Sequence, residues 1–302
     1  MKNPLLGILI LSPLLLMACQ QKEAVPDGWK KGLYQHSQEW INDEKKDEVY
    51  PNQVGNYLYI MPPMSKSALI KQVKADMAFI KGGAFTLKTG KKLKVKSFYI
   101  AKKLTSFWQY YSYLNWIHQY HPNSDDEDQD TDNGLYPAEI KYHQAQNYCA
   151  WLAKETKLPF ALPTFKQWLY AATSRGTNWA YPTNNGKLEL GINYPKGNSG
   201  ISIPVTGLPI NSLGIHQMMG NGYQWTKTMV THQNQVEYNV YMSPDNDFGN
   251  PVVMGRDYGD DTKTIKRINL TSEYTRFVSS KLDKYSEPTA FRCVINTDQP
   301  IT

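Results

Sequence analysis

The chain has 302 residues, 41% of them hydrophobic and 13% aromatic, with 33 Lys and Arg against 27 Asp and Glu for a formal net charge of +6. This length accommodates one large domain or two small ones, and the 21 Tyr and 8 Trp supply a substantial core whose hydroxyl and indole groups need hydrogen-bond partners. The charge is a mild bias and the lysines fall singly or in pairs, which removes any electrostatic case for nucleic acid or for a polybasic membrane patch.

At the amino terminus, Met1-Lys-Asn precedes an apolar run from Leu5 to Met17. The run is too short to span a bilayer and has the form of the apolar stretch of a secretory signal. It ends in Leu16-Met17-Ala18-Cys19, which resembles the lipobox of bacterial lipoproteins. The resemblance implies a signal peptide over residues 1–18 and lipidation of Cys19; the alternative is a plain signal peptide cleaved nearby. Gln20 stands where Asp would favour the inner membrane, so the same resemblance implies a lipid anchor in the outer membrane, facing the periplasm.

Residues 19–60 read as a membrane tether and an extended N-terminal segment, with Trp29, Leu33, Trp40 and Ile41 packing locally. Residues 61–302 then form a single domain. Ser65 caps a short helix. Met77-Ala-Phe-Ile-Lys-Gly-Gly-Ala-Phe-Thr-Leu87 alternates around a double glycine, as a strand with a bulge or tight turn does, and residues 93–100 form a second alternating strand. Thr105 or Ser106 opens a helix with Trp108, Tyr111, Leu114, Asn115 and His118 at helical spacings, which ends before Pro122. His118 and His121 on it stand about one turn apart, a spacing compatible with a metal pair but without a third ligand.

The acidic run that follows places Asp126, Asp128, Asp130 and Asp132 at alternate positions before Gly134. A calcium loop and a solvated surface excursion both account for it; the late glycine and the lack of a closing Glu favour the excursion. A second amphipathic helix over residues 142–154 carries Ala145, Tyr148, Cys149 and Leu152 on one face. A third is capped by Thr164 with Gln167 at the reciprocal position. Residues 211–226 crowd glycines, amides and large apolar side chains too closely for a regular element and read as a structured loop. The remaining residues show no strong period. Besides Cys19 the chain holds only Cys149 and Cys293, either bonded to each other or buried as separate thiols.

Several of these pieces, in order, resemble the formylglycine-generating enzyme, or sulfatase-modifying factor, family. Phe79-Ile-Lys-Gly-Gly-Ala-Phe-Thr-Leu looks like its opening strand, and Phe98-Tyr-Ile-Ala-Lys-Lys-Leu-Thr-Ser like the segment after it. The stretch from Tyr136 to Leu152 is similar to its Tyr-Cys helix, Ala161-Leu-Pro-Thr-Phe-Lys-Gln-Trp-Leu-Tyr-Ala-Ala to its Leu-Pro-Thr helix, and Ala290-Phe-Arg-Cys293 to its closing motif. Residues 211–226 resemble its central Gly-Asn-Val-Trp-Glu-Trp loop. The resemblance covers residues 77–294 and implies one α+β domain related to C-type lectins, poor in regular secondary structure, with Cys149 and Cys293 paired.

What the resemblance implies for chemistry is mostly loss. The aerobic enzymes of the family hold copper with two further cysteines in the C-terminal third, soft ligands suited to Cu(I), and this chain has none between Met254 and Phe291. The family's structural calcium site maps onto Gln217, Gly220, Gly222 and Gln224, and part of a second one onto Asn193 and Tyr194. Gln217 and Gln224 replace carboxylates, so calcium is expected to be absent or weak, copper absent, and no cofactor required. The expected role is a catalytically silent module, a pseudoenzyme, that binds a protein of the envelope or a secreted one, with immunity or accessory function beside type VI secretion as the specific form. The alternative is a metal-dependent oxidoreductase whose site uses Tyr223, His216, Arg256 and Arg292, with Arg292 as a buried ion-pair partner the more economical role. A third reading places Trp108, Trp116, Tyr181 and Tyr223 around a glycan pocket.

Overall fold

A computed structural model describes residues 30–35, 53–54, 57–60, 63–87, 90–118, 134–177, 181–195, 202–231, 233, 250–256, 276–277 and 289–301. Cys19, His121 and the acidic run of Asp126, Asp128, Asp130 and Asp132 lie outside them. Within the segment read as a tether, β1 (Lys30–Gln35), β2 (Gln53–Val54) and β3 (Tyr57–Ile60) pair antiparallel in the order β1-β3-β2.

Helix α1 (Lys66–Ala75) starts where expected, the Ser65 hydroxyl accepting the Ala68 N–H at 3.2 Å. The two strands expected next are each divided. Residues 77–87 give β4 (Met77–Ile80) and β5 (Gly83–Thr86), and residues 93–100 give β6 (Lys92–Val95) and β7 (Phe98–Ala101). The cause is a backbone crossing. A Cβ on Gly82 would lie 2.5 Å from both Ser97 N and Val95 O, and the Gly82 N–H donates to the Ser97 hydroxyl at 3.0 Å. Only glycine permits that approach, so each run changes sheet there: β4 and β7 join one sheet while β5 and β6 form a separate hairpin.

Helix α2 (Phe107–Trp116) begins in a reciprocal capping box between Ser106 and Gln109. Its buried residues are Phe107 and Tyr110 through Leu114, a wider face than the expected stripe. The segment before α1 covers its far side: Met64 N–H donates to the Ser112 hydroxyl at 2.9 Å, and the Trp116 indole donates to Met64 O at 2.9 Å. The helix ends short of His118, which is exposed with φ 57°; the metal pair read from sequence includes His121, which lies outside the described residues.

Helix α3 (Tyr142–Thr156) buries Ala145, Tyr148, Cys149 and Leu152 as its period predicts. The short β8 (Phe160–Ala161) leads to α4 (Phe165–Ala172), whose capping box joins Thr164 and Gln167. The last strands are β9 (Gly222–Val230), β10 (Asn250–Arg256), β11 (Arg276–Phe277) and β12 (Val294–Ile295). The stretch read as loop through Thr226 is therefore strand from Gly222 onward, because β10, remote in sequence, supplies the ladder. Pro251 through Gly255 are all buried, which removes the alternation that would have announced a strand.

The architecture is α+β. A four-stranded antiparallel sheet runs β4-β7-β12-β8, and β9 lies between α4 and β10 in contact with both. One core cluster, with Trp168, Ile215, Met218 and Met254, joins α4 to the central loop; the other, with Tyr110, Tyr148, Trp225 and Phe291, fills the space around α2 and α3. Cys149 and Cys293 are bonded, Cα atoms 5.9 Å apart, fastening α3 to the segment that enters β12.

Candidate functional site

The central loop, residues 211–221, is held by its own amides. Asn211 Oδ1 accepts the N–H groups of Leu213 and Ile215, while its Nδ2 donates to Ala171 O at 3.3 Å and ties the turn to the end of α4. Gly214 and Gly220 have positive φ, and a Cβ on Gly220 would strike the Tyr194 ring at 2.8 Å. Gln217 also has positive φ, 47°, a costly conformation for a non-glycine residue that the surrounding bonds must over-determine. Its Nε2 donates to Pro204 O at 2.8 Å and its Oε1 accepts from Asn221 Nδ2 at 2.9 Å. Asn221, fully buried, spans to Ile203 through both its amide atoms.

Beneath the loop lies Arg292, also fully buried. Its five donors are all used: Nε on Gln224 Oε1 at 3.0 Å, Nη1 on Ala101 O and Lys102 O, and Nη2 on His216 O and Gln217 O. Gln224 Oε1 also accepts the Trp168 indole N–H at 2.9 Å, and Gln224 Nε2 donates to Gln217 O at 3.0 Å. Burial pulls the guanidinium pKa below its ordinary value, and a cage of oxygen dipoles replaces a counter-ion. No carboxylate pairs with Arg292 among the described residues, so the ion pair expected from sequence is replaced by carbonyls and one amide.

Comparison with known proteins decides the kinship. The sulfatase-modifying factor enzyme 1-like domain family matches residues 65–297. The chain belongs to this family. Among curated proteins, the inactive C-alpha-formylglycine-generating enzyme 2 of Bos taurus is 26% identical over 175 residues, 53% of this chain and 50% of that protein. The formylglycine-generating enzyme of Mus musculus is 26% identical over 136 residues, 41% of this chain and 34% of that protein. The matches thus span half or less of those relatives. Solved structures share the fold: CarF at TM-score 0.52 and 16% identity over 74% of this chain and 98% of that one, and PvdO from Pseudomonas aeruginosa at 0.53 and 17% over 73% and 94%.

The family's metal positions can be tested against these contacts. Calcium needs about six to eight oxygens turned toward one point. In this family member Gln224 Oε1 faces Trp168 and Arg292, Gln217 Oε1 faces Asn221, and a guanidinium stands 3.1 Å from Gln217 O. These residues do not fit a cation. At the second position Asn193 Nδ2 sits among Asn184 Oδ1, Asn185 Oδ1, Lys187 O and Glu189 Oε2, all within 3.2 Å, and its own Oδ1 accepts the Glu189 N–H. The oxygens there converge on an amide. For copper, the only cysteines after Cys19 are bonded to each other. Among the described residues no three His, Cys, Asp or Glu side chains are grouped to hold a metal.

Among the catalytic candidates, His216 and Arg292 are joined through the His216 backbone. The His216 ring Nδ1 lies 3.0 Å from Leu208 O, and Arg292 meets the His216 backbone rather than its imidazole. Desolvation, opposed by the Leu208 carbonyl and aided by Lys103 and Arg292, lowers the His216 pKa and favours the neutral ring. Tyr223 stands opposite Gly255, and the Arg256 backbone opposite Gly222, in the β9–β10 ladder; the Arg256 side chain is outside the described atoms. The aromatic quartet is dispersed: Tyr181 packs on one core cluster, Trp108 and Tyr223 on the other, and Trp116 is 43% exposed at the end of α2. The four do not share a pocket. Sequence reasoning missed the Trp168–Gln224–Arg292 triangle, although the three residues stand in the motifs that carried the resemblance.

Proposed function

We propose that this chain is a non-catalytic member of the formylglycine-generating family, lipid-anchored through Cys19 at the outer membrane, whose domain binds a protein partner in the periplasm. The observation that carries the reading is the Gln224–Arg292 cage: at the family's central loop the amide oxygens that replace metal-binding carboxylates are already bonded to donors of this chain. The bovine relative named inactive adds support, since this scaffold persists there under a name that denies the reaction. A scaffold with a central loop bonded by its own amides and a bonded pair of core cysteines is well suited to present surface loops rigidly. The specific form we propose is an immunity or accessory lipoprotein of a type VI secretion system.

The experiment is a pull-down from envelope extracts, with candidate secreted toxins added, using the full chain in detergent. In parallel, the chain is incubated with Cu(I) or Fe(II), a thiol and a cysteine-containing sulfatase peptide, and the peptide is weighed. Specific retention of an envelope or toxin protein with no change in peptide mass is the expected result. Conversion of the peptide cysteine would establish instead the metal-dependent enzyme reading, for which the murine formylglycine-generating enzyme is the precedent.

A further inference from the structure

Lysines that fall singly or in pairs along the chain come together on the β5–β6 hairpin. Strand β6 alternates, Leu93 and Val95 buried in the core cluster that contains α4 residues, Lys92 and Lys94 exposed, with Lys96 exposed one step beyond the strand. Same-face neighbours on a strand stand about 6.4–6.8 Å apart, twice the rise per residue. Lys94 and Lys96 also line a groove of about 690 Å³ with Lys81, Gly83, Asn296 and Asp298. Among the described residues no carboxylate pairs with Lys81, Lys92, Lys94 or Lys96.

The backbone of the same strand has a free edge. Leu87 N–H donates to Lys91 O at 2.9 Å, which marks a hydrogen-bonded pair at the turn end of the hairpin. Antiparallel ladders alternate bonded and non-bonded pairs, so with the observed register Phe85↔Leu93 and Gly83↔Val95 are bonded and Thr86↔Lys92 and Ala84↔Lys94 are not. The N–H and C=O groups of Lys92 and Lys94 therefore point away from β5. Their sheet is two-stranded, and no other described group bonds to them.

Lysines on an open edge repel a second copy of the same strand. By the same charge logic they attract a strand of opposite sign. We propose that β6 receives an extended acidic segment of a protein partner by strand addition, with main-chain hydrogen bonds to Lys92 and Lys94 and alternate carboxylates facing Lys92, Lys94 and Lys96. The side chains of an added strand repeat at the lysine spacing, which is the match that favours a polypeptide over other polyanions. The proposal rests on the reading of the domain as a protein-binding module and assigns that module a surface. Exposed ion pairs are individually weak and screened, so the contact is modest and salt-sensitive.

The test is fluorescence anisotropy of a labelled peptide of alternating Asp and Thr, titrated with the full chain in detergent at low and high salt. Saturable binding that weakens with salt is expected, with the Lys92→Glu, Lys94→Glu double variant weakened by about tenfold or more. A peptide of the same composition in two blocks, and one N-methylated on alternate backbone nitrogens, should both bind less. Absence of binding overturns the proposal, as do equal binding of the N-methylated peptide, an unaffected double variant, or tighter capture of a single-stranded oligonucleotide. If a partner found by pull-down is still retained by the double variant, this surface is wrong while the module reading stands. If the native chain retains no partner, the module reading itself fails.

Discussion

Arg292 is a charge buried without a counter-charge, stable because five oxygens answer five N–H groups. Replacing it with Met removes the guanidinium donors of Ala101 O and His216 O, while Lys102 O, Gln217 O and Gln224 Oε1 keep the His216 N–H, the Gln224 amide and the Trp168 indole; each unsatisfied buried acceptor costs about 1–3 kcal/mol. Arg292→Met should therefore lower stability by at least about 2 kcal/mol in urea unfolding, and Arg292→Lys by less, since a single ammonium retains the charge but cannot reproduce the fork. His216 gives a pH dependence of determined sign. Its folded pKa is below the ordinary 6.5, so the unfolded chain binds the proton more readily and stability is lost as pH falls through 6.5 toward the folded value. Unfolding free energy measured between about pH 8 and pH 5 should decline more steeply for the native chain than for His216→Asn, and equal slopes would show that the ring does not contribute.

At the scale of elements, capping boxes and helical periods were readable because their determinants are local: Ser106 with Gln109, Thr164 with Gln167, and the four-residue face of α3. The divided strands were not, since the break between β4 and β5 is imposed by Ser97 and Val95 pressing on Gly82, a contact absent from any short window. Strand β9 stayed hidden within a loop-like sequence for the same reason, its ladder being donated by β10. The site was legible in part. Motif order located Gln217 and Gln224, but that Gln224 serves as acceptor to both Trp168 and Arg292 needed the packing of α4 against β9. The disulfide spans 144 positions, for which the loop-entropy model gives about 4–5 kcal/mol. A Cys149→Ala, Cys293→Ala variant should unfold at a markedly lower urea midpoint, by an amount equivalent to about 3–5 kcal/mol, with a slope at least as steep because the released unfolded chain is more expanded.

For the whole molecule, the expectation that the central loop holds no cation is the one most open to a simple measurement. A ligand that binds only the native state raises the melting temperature, by an amount that grows with the logarithm of its concentration over Kd. Excess chelator should therefore leave the melting temperature of the purified chain unchanged, and added calcium should not raise it. A drop with chelator would mean that the oxygens around Asn193 or Gln217 rearrange to hold an ion. The acidic run from Asp126 to Asp132 would be a third source of such a drop, separable by replacing its aspartates with asparagines.

The four-stranded sheet has one more implication, for how the molecule comes into being. Its interior strand β12, between β7 and β8, is made last of the four, and Cys293 emerges beside it. During vectorial synthesis β4 and β7 can pair as they emerge, but β8 leaves the ribosome without the strand that joins it to them, and Cys149 waits without its partner. A nascent chain of this topology cannot close its central sheet early. The sheet is completed only when residues 294–295 are released and β12 enters between β7 and β8.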